Sequence, residues 1–346
     1  SALRGHWRAH LEREIAFLTG LNVGQSRHVV TLFDHGLVDE QPVLVLERLQ
    51  ANLGQWLAQQ RRENALPPDL AQILDWADQI LDGLDVVHGA GFVYRDLKFS
   101  NILVGAEGMR LKLADFGSLK REDGDNTCSF IGTPATMAPE QVLPACWGAE
   151  GCEYAVDHRV DYYALGLLLF TLLTDRSTTV AQRRLGQLLM LHGQKGAGQY
   201  RERLGGLDDE EQGVLRQSIE FWTVPAVAKP SQGGTATLLA NLVVRLLSRD
   251  PSARPADALE IRTVLDAVRA DQPTVLTFTP YWNMAAPPAG LPNRRLYRNE
   301  QRTLQSRRRL VLIAGALGLA GAMAWTIIRP GCEICPDHTK LNTIKT

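Results

Sequence analysis

Apolar positions recur along this chain with two different periods, and the period changes with position. Residues 6–21, HWRAHLEREIAFLTGL, set Leu11, Ile15, Leu18 and Leu21 at helical spacing and predict a helix. VVTLFDHG and PVLVLERL predict two short strands separated by the turn-rich DEQP. Over residues 69–88, the positions Leu70, Ile73, Leu74, Ala77, Ile80, Leu81, Leu84 and Val87 form a wide apolar stripe, so a long helix there must bury one face. ILVG and MRLKLA flank the small turn AEG and predict a hairpin. DYYALGLLLFTLLT, residues 161–174, predicts an apolar helix too short and too interrupted to span a membrane. Residues 238–247 and 256–268 supply two more helices. Strands precede a mainly helical remainder, which is an α+β pattern, and no internal repeat is present.

A different regime begins near the C-terminus. LVLIAGALGLAGAMAWTII, residues 310–328, contains no charged residue. At about 1.5 Å per residue it would reach roughly 28 Å, which predicts a single transmembrane helix. Arg294, Arg295, Arg298, Arg302 and Arg307 to Arg309 before it outweigh Arg329, Lys340 and Lys345 after it. The positive-inside rule therefore places residues 1–309 in the cytoplasm and leaves a short extracytoplasmic tail, 329–346, beyond a single-pass cell-membrane anchor. Trp325 fits an interfacial aromatic. Residues 271–309, beginning with a proline-rich stretch and ending in arginines, read as a juxtamembrane linker. Ala314, Gly318 and Ala322 stand four apart, a spacing that would let two such helices approach as a homodimer. No signal peptide is visible, and the first residue is Ser.

Composition adds little. The 346 residues are 45% hydrophobic and 22% charged with a formal net charge of -1, ordinary for a globular chain and no footprint of a nucleic-acid binder. Cys332 and Cys335 form a C-x-x-C pair in a tail too short to complete a metal site, though it could oxidise outside the cytoplasm. Cys146 and Cys152 read as free thiols in a loop, CWGAEGC, and His6 and His10 as part of a solvated helix face.

The chemistry concentrates in FVYRDLKFSNILV, residues 92–104. If ILVG pairs with the strand ending at Ala114, Asn101 and Asp115 lie at the open end of the hairpin, about one interstrand spacing of roughly 4.8 Å apart. Amide and carboxylate oxygens converging on one point suit Mg2+, with its other positions left to water and phosphate. Asp96 and Lys98, two apart in the same loop, share a face in extended backbone. A carboxylate beside an ammonium at a metal-phosphate site is what transfer of a phosphoryl group to a hydroxyl requires.

These residues resemble the eukaryotic-like (Hanks-type) Ser/Thr protein kinases, a family found also in bacteria. YRDLKFSN is similar to the family's catalytic loop H-R-D-L-K-x-x-N, with Tyr94 in place of His and Phe99 in place of Pro. Asp115, Phe116 and Gly117 match DFG, and GTPATMAPE matches the end of the activation segment. The resemblance covers residues 1–270 and implies a protein-kinase-like fold. Residues 1–49 would be a partial small lobe ending in the hinge, and residues 50–270 the large lobe. It further implies ATP and Mg2+ as cofactors and protein substrates with Ser or Thr hydroxyls. Asp96 would be the base and Lys98 a γ-phosphate contact, while Asn101 and Asp115 would hold Mg2+. Glu14, rather than Glu12, would be the family's C-helix glutamate. Leu46 would be the gatekeeper, and backbone groups of Glu47 and Leu49 would meet adenine. Arg95 would pair with a phosphate on Thr127 or Ser129, and Thr133 would brace the loop. Asp161 would support the catalytic loop, and Arg254 would pair with Glu140.

One part of the family pattern is missing. No G-x-G-x-x-G loop and no V-A-I-K strand lie ahead of His6, so the roof over the nucleotide is expected in residues lost upstream of Ser1. Three alternatives remain open. A pseudokinase would keep the fold without activity, and a membrane-tethered scaffold would only bind partners. A small-molecule kinase shares the Asp-to-Asn loop but generally lacks the APE segment.

Overall fold

The N-terminal helix α1, Ala2–Gly20, is followed by an antiparallel hairpin of β1, Leu32–Val38, and β2, Gln41–Leu46. The structure is a computed structural model that describes residues 2–21, 27–39, 41–65, 67–105, 109–122, 136–143, 146–148, 151–200, 204, 206–223 and 234–270. These belong to one unit, Ser1–Arg294. Val29 and Val30, expected in the first strand, are buried and make only a parallel bridge to Leu113, so regular pairing starts three residues late.

After β2 the chain forms β3, Ala51–Asn52, α2, Leu53–Arg62, and α3, Leu70–Gly89. Asn52 and Gln55 cap α2 reciprocally. Asp69 caps α3 by accepting from the Gln72 amide at 2.8 Å. The stripe of α3 is buried as its spacing requires: Ile73, Leu74, Ala77, Ile80, Leu81, Leu84 and Val87 are all in the core. The helix ends where Gly91 takes a φ of 78° that suits glycine. Then follow β4, Phe92–Val93, β5, Ile102–Val104, β6, Leu111–Leu113, and β7, Lys120–Arg121. β5 lies between β3 and β6, while β4 pairs with β7. Gly83 of α3 permits close approach to this sheet, since a Cβ there would sit 2.8 Å from the His28 carbonyl and the Leu113 side chain.

The remainder is mostly helical. α4, Pro139–Val142, is short, and β8, Cys146–Gly148, pairs with β9, Gly151–Glu153. The stretch around Cys146 and Cys152, read from sequence as a loop, is therefore a hairpin with Trp147 opposite Cys152. Three-residue strands are too short for alternation to reveal. α5, Arg159–Thr174, is buried along almost its whole length, packed by α3, by α7, Asp209–Thr223, and by α8, Gly234–Leu246. α6, Val180–Gly198, bends at Gly193. Neither α6 nor α7 nor α2 was expected from the apolar spacing.

α9, Ala258–Ala270, closes the described chain against α3. Its Arg262 reaches Asp78, Asp82 and Asp85 of α3 at 3.3, 2.9 and 2.8 Å, while Arg269 also meets Asp78. Among the described residues no helix is long and apolar enough to cross a membrane. The expected span 310–328, the linker 271–309, the tail with Cys332 and Cys335, and the spacing of Ala314, Gly318 and Ala322 lie outside the described residues.

Candidate active site

The hairpin register decides where the chemistry sits. Ile102 faces Leu113, and the amide of Ala114 donates to the carbonyl of Asn101 at 2.9 Å, so Asn101 and Asp115 emerge together from the open end of β5 and β6. The Asn101 amide nitrogen donates to the Asp96 carbonyl and to Asp96 Oδ2, both at 3.0 Å. Lys98 Nζ donates to the same Oδ2 at 2.7 Å. The Asp96 carboxylate, almost wholly buried, is thus oriented from two sides.

Asp115 stands close enough to Asp96 for the two charges to interact. Burial pushes the Asp115 carboxyl above its ordinary range, the charge of Asp96 adds to this, and Lys98 offsets only part of it. Its own backbone is left-handed, with φ 63° and ψ 75°, a conformation that aspartate tolerates better than most residues. The Asn101 amide nitrogen gives both of its donors to Asp96, and its oxygen accepts from the Ser100 hydroxyl at 3.3 Å. Carboxylate and amide oxygens beside a surplus of negative charge fit a hard divalent cation such as Mg2+.

Glu14 and Glu12 differ in their surroundings. Glu14 Oε1 accepts from the Phe116 amide at 3.2 Å, whereas Glu12 pairs with Arg8 on an exposed face. Burial raises the Glu14 carboxyl, although the Phe116 hydrogen bond works against it. His10 is not on a solvated face: it is half-buried against Gly117, where an added Cβ would stand 3.1 Å from the His10 side chain. That contact with a residue far along the chain is invisible to helical spacing. The His6 side chain lies outside the described set.

Aromatic rings connect α1 to the loop. Phe17 packs on Phe116 at 4.9 Å between centroids, and Phe116 on Tyr94 at 5.5 Å. The Tyr94 hydroxyl donates to the Ala114 carbonyl, and burial pushes its pKa far up, so it remains a donor.

Asp161, fully buried on α5, organises the other side. Its Oδ2 accepts from the Tyr94 amide at 2.9 Å and faces His88 Nε2 at 2.8 Å, while Oδ1 accepts from the Arg95 amide at 2.7 Å. Arg95 has a φ of 68°, rare for an arginine. The conformation is held by Asp161, by Gln141 Nε2 donating to the Arg95 carbonyl at 3.0 Å, and by Arg95 Nε donating to the Ser118 carbonyl at 2.7 Å. Burial, followed by the charge of Arg13, pulls the Arg95 guanidinium down to about 10. Lys120 is likewise lowered by burial and then by Arg95. Cations are crowded here, an environment an anion would relieve.

Arg254 meets Glu140 through two bonds, of 2.5 and 2.9 Å, donates to the Ser248 carbonyl at 2.9 Å, and lies over the Tyr163 ring at 4.9 Å. Leu46 ends β2 and is partly buried against the core. The amide of Glu47 donates to the Thr31 carbonyl at 2.9 Å, so its N–H is already engaged within the chain. Its carboxylate accepts from the Thr31 amide at 2.7 Å and pairs with Lys112. Leu49 packs against the core just before the chain enters β3. Thr127, Ser129 and Thr133 lie outside the described residues. Sequence reading missed Gln141, His88, Lys112 and Gln182, whose amide bridges the Met137 carbonyl and the Tyr163 hydroxyl at 3.1 Å each. Single polar residues within apolar stretches carried no spacing to reveal them.

Comparison with known proteins fits this geometry. The protein kinase domain family matches residues 3–265. Protein kinase C zeta type from Oryctolagus cuniculus is 37% identical over 136 residues, covering 39% of this chain and 21% of that protein. Atypical protein kinase C from Drosophila melanogaster is 36% identical over 126 residues, covering 36% of this chain and 19% of the relative. The match thus spans about a fifth of the length of these curated relatives.

Proposed function

We propose that this chain, which belongs to the protein kinase domain family, transfers the γ-phosphoryl group of ATP to serine or threonine hydroxyls of protein substrates. The observation that carries the reading is the convergence of Asp96, Lys98 and Asn101 with Asp115 at the open end of one hairpin. In this reading Asp96 orients the attacking hydroxyl and takes its proton as the new oxygen–phosphorus bond forms and the bond from the γ-phosphorus to the β–γ bridging oxygen breaks, with ADP as the leaving group. Lys98, 2.7 Å from Asp96, sits where it can also offset charge on the transferring group. Asn101 and Asp115 would hold Mg2+, which when bound neutralises phosphate charge. The carbonyl of Glu47 and the backbone of Leu49 would receive adenine, and Glu14 would stiffen the site through the Phe116 amide.

The crowding of Arg95, Lys120 and Arg13 supports a regulatory phosphate on Thr127 or Ser129, since a phosphoryl dianion would offset like charges there. The apolar run 310–328 supports a single-pass membrane anchor with the catalytic unit on the cytoplasmic side. Ala314, Gly318 and Ala322 would be the face through which two anchors pair.

The test is transfer from γ-labelled ATP by the full chain to a mixture of denatured proteins. Label recovered as phosphoserine or phosphothreonine supports the proposal. Label on small molecules alone, or none, would instead favour a small-molecule kinase or a scaffold.

A further inference from the structure

His158 stands at the start of α5, three residues before Asp161, and both of its ring nitrogens face oxygen acceptors. Nδ1 is 2.7 Å from Glu122 Oε1, and Nε2 is 2.9 Å from the Ala256 carbonyl. A neutral imidazole carries one N–H and can satisfy only one of them, whereas the imidazolium donates to both. The geometry therefore selects the charged ring.

Glu122 holds a strategic position. It follows β7 directly, and its amide donates to the Gly91 carbonyl at 2.9 Å. β7 pairs with β4, Phe92 with Arg121 and Val93 with Lys120, and β4 runs straight into Tyr94, Arg95 and Asp96. The His158 to Glu122 link thus fastens this ribbon to α5, beside the Asp161 bonds that hold Tyr94 and Arg95.

The surroundings of His158 come from every packed element. α3 presents the His88 ring at 5.4 Å, itself bonded to Asp161, and α5 presents Tyr162 at 5.5 Å. The stretch after β7 presents Glu122, the stretch before α9 presents the Ala256 carbonyl followed by Asp257, and Asp157 precedes His158 in the chain.

We propose that His158 is a pH-operated latch. Protonated, it ties Glu122, and with it the ribbon that roots the Asp96 loop, to α5 while also holding Ala256; deprotonated, it gives up one of the two bonds, and with its N–H on Ala256 the ribbon keeps only the 3.4 Å bond from the His158 amide to Glu122 Oε1 and loosens.

The electrostatics agree with the geometry. Burial pulls the His158 ring down, yet its bonds to Glu122 and Ala256 and the charges of Glu122 and Asp157 lift its pKa above the ordinary 6.5. Burial pushes the Glu122 carboxyl up, yet His158 outweighs it and holds the carboxyl below the ordinary 4.5. The His158 contribution is fully present below pH 6.5 and is lost as pH rises through the raised value. The Glu122 contribution is present above pH 4.5 and is lost as pH falls through the lowered value. The latch is closed between these limits and opens as pH rises through the raised His158 value.

The full chain labelled with 13C at histidine Cε1 tests this, the His158 resonance being assigned by its loss in His158→Gln. The expected midpoint lies above 6.5 and falls by half a unit or more in Glu122→Gln. A midpoint at or below 6.5, or one that Glu122→Gln leaves unmoved, overturns the proposal. A second measurement follows trypsin cleavage after Arg121, normalised to a free peptide of the same sequence. Normalised cleavage rises several-fold from pH 6 to pH 8.5 if the latch exists, and a flat wild-type profile overturns it even if Glu122→Gln does not fold. Neither readout requires phosphoryl transfer.

Discussion

Asp161 holds Arg95 by its backbone: the Arg95 amide donates to Asp161 Oδ1 at 2.7 Å and fixes a residue whose φ is 68°. The same carboxylate takes the Tyr94 amide, so two consecutive buried N–H groups depend on one side chain from a helix more than sixty residues later. Asp161→Ala strands both amides, and at roughly 1–3 kcal/mol for each the expected loss of stability is about 2–6 kcal/mol. Asp161→Asn keeps one acceptor oxygen and should lose less. Urea denaturation of both variants checks the order.

Arg254 and Glu140 form a buried, two-pronged pair, and breaking it from one side leaves an uncompensated charge. Arg254→Met should cost about 3–5 kcal/mol. The double variant Arg254→Met, Glu140→Met should cost clearly less than the sum of the two single changes, with a coupling of about 1 kcal/mol or more. A double-mutant cycle on unfolding midpoints measures this.

Burial, with the charge of Asp96 beside it, raises the cost of ionising Asp115 in the absence of a cation. Mg2+ binds the folded chain in this account, so millimolar Mg2+ should raise the melting temperature of the wild type by a few degrees. Asp115→Asn should abolish most of that rise. Differential scanning fluorimetry with Ca2+ as a control reads the effect.

Arg95, Lys120 and Arg13 crowd the far side of the loop. After incubation with ATP, mass spectrometry should find phosphate on Thr127 or Ser129. Arg95→Gln should remove the stimulation such a phosphate confers without removing basal transfer. A chain left unmodified at both positions contradicts the regulatory reading.

The sequence made the centre of this molecule legible because its chemistry is local. Asn101 and Asp115 are joined by a hairpin whose strands alternate and turn within a few residues, and Asp96, Lys98 and Asn101 share one loop. The stripe of α3 was readable for the same reason, since Ile73 to Val87 repeat at helical spacing. What escaped is what distant packing decides. With no third metal ligand near it, His10 reads as a residue facing water, yet Gly117, lacking a side chain, leaves it a seat. α6 carries arginines, glutamines and glycines where a stripe would be sought; Leu185 seats it in a small cluster with Met137 and Val142, and Gln182 bonds the Met137 carbonyl and the Tyr163 hydroxyl. Gln141, His88 and His158 act through a few individual hydrogen bonds to distant residues, and a lone polar residue has no period to betray it.

Asp96 is, in this proposal, the group that receives the hydroxyl proton. The most direct measurement compares initial rates of labelled phosphate transfer to protein serine and threonine by the wild type and Asp96→Asn, with melting curves recorded on both. The account predicts transfer by the wild type and a rate lowered about 10²–10⁴-fold in Asp96→Asn, with the fold intact. A folded Asp96→Asn variant that retains a tenth or more of the wild-type rate would contradict it.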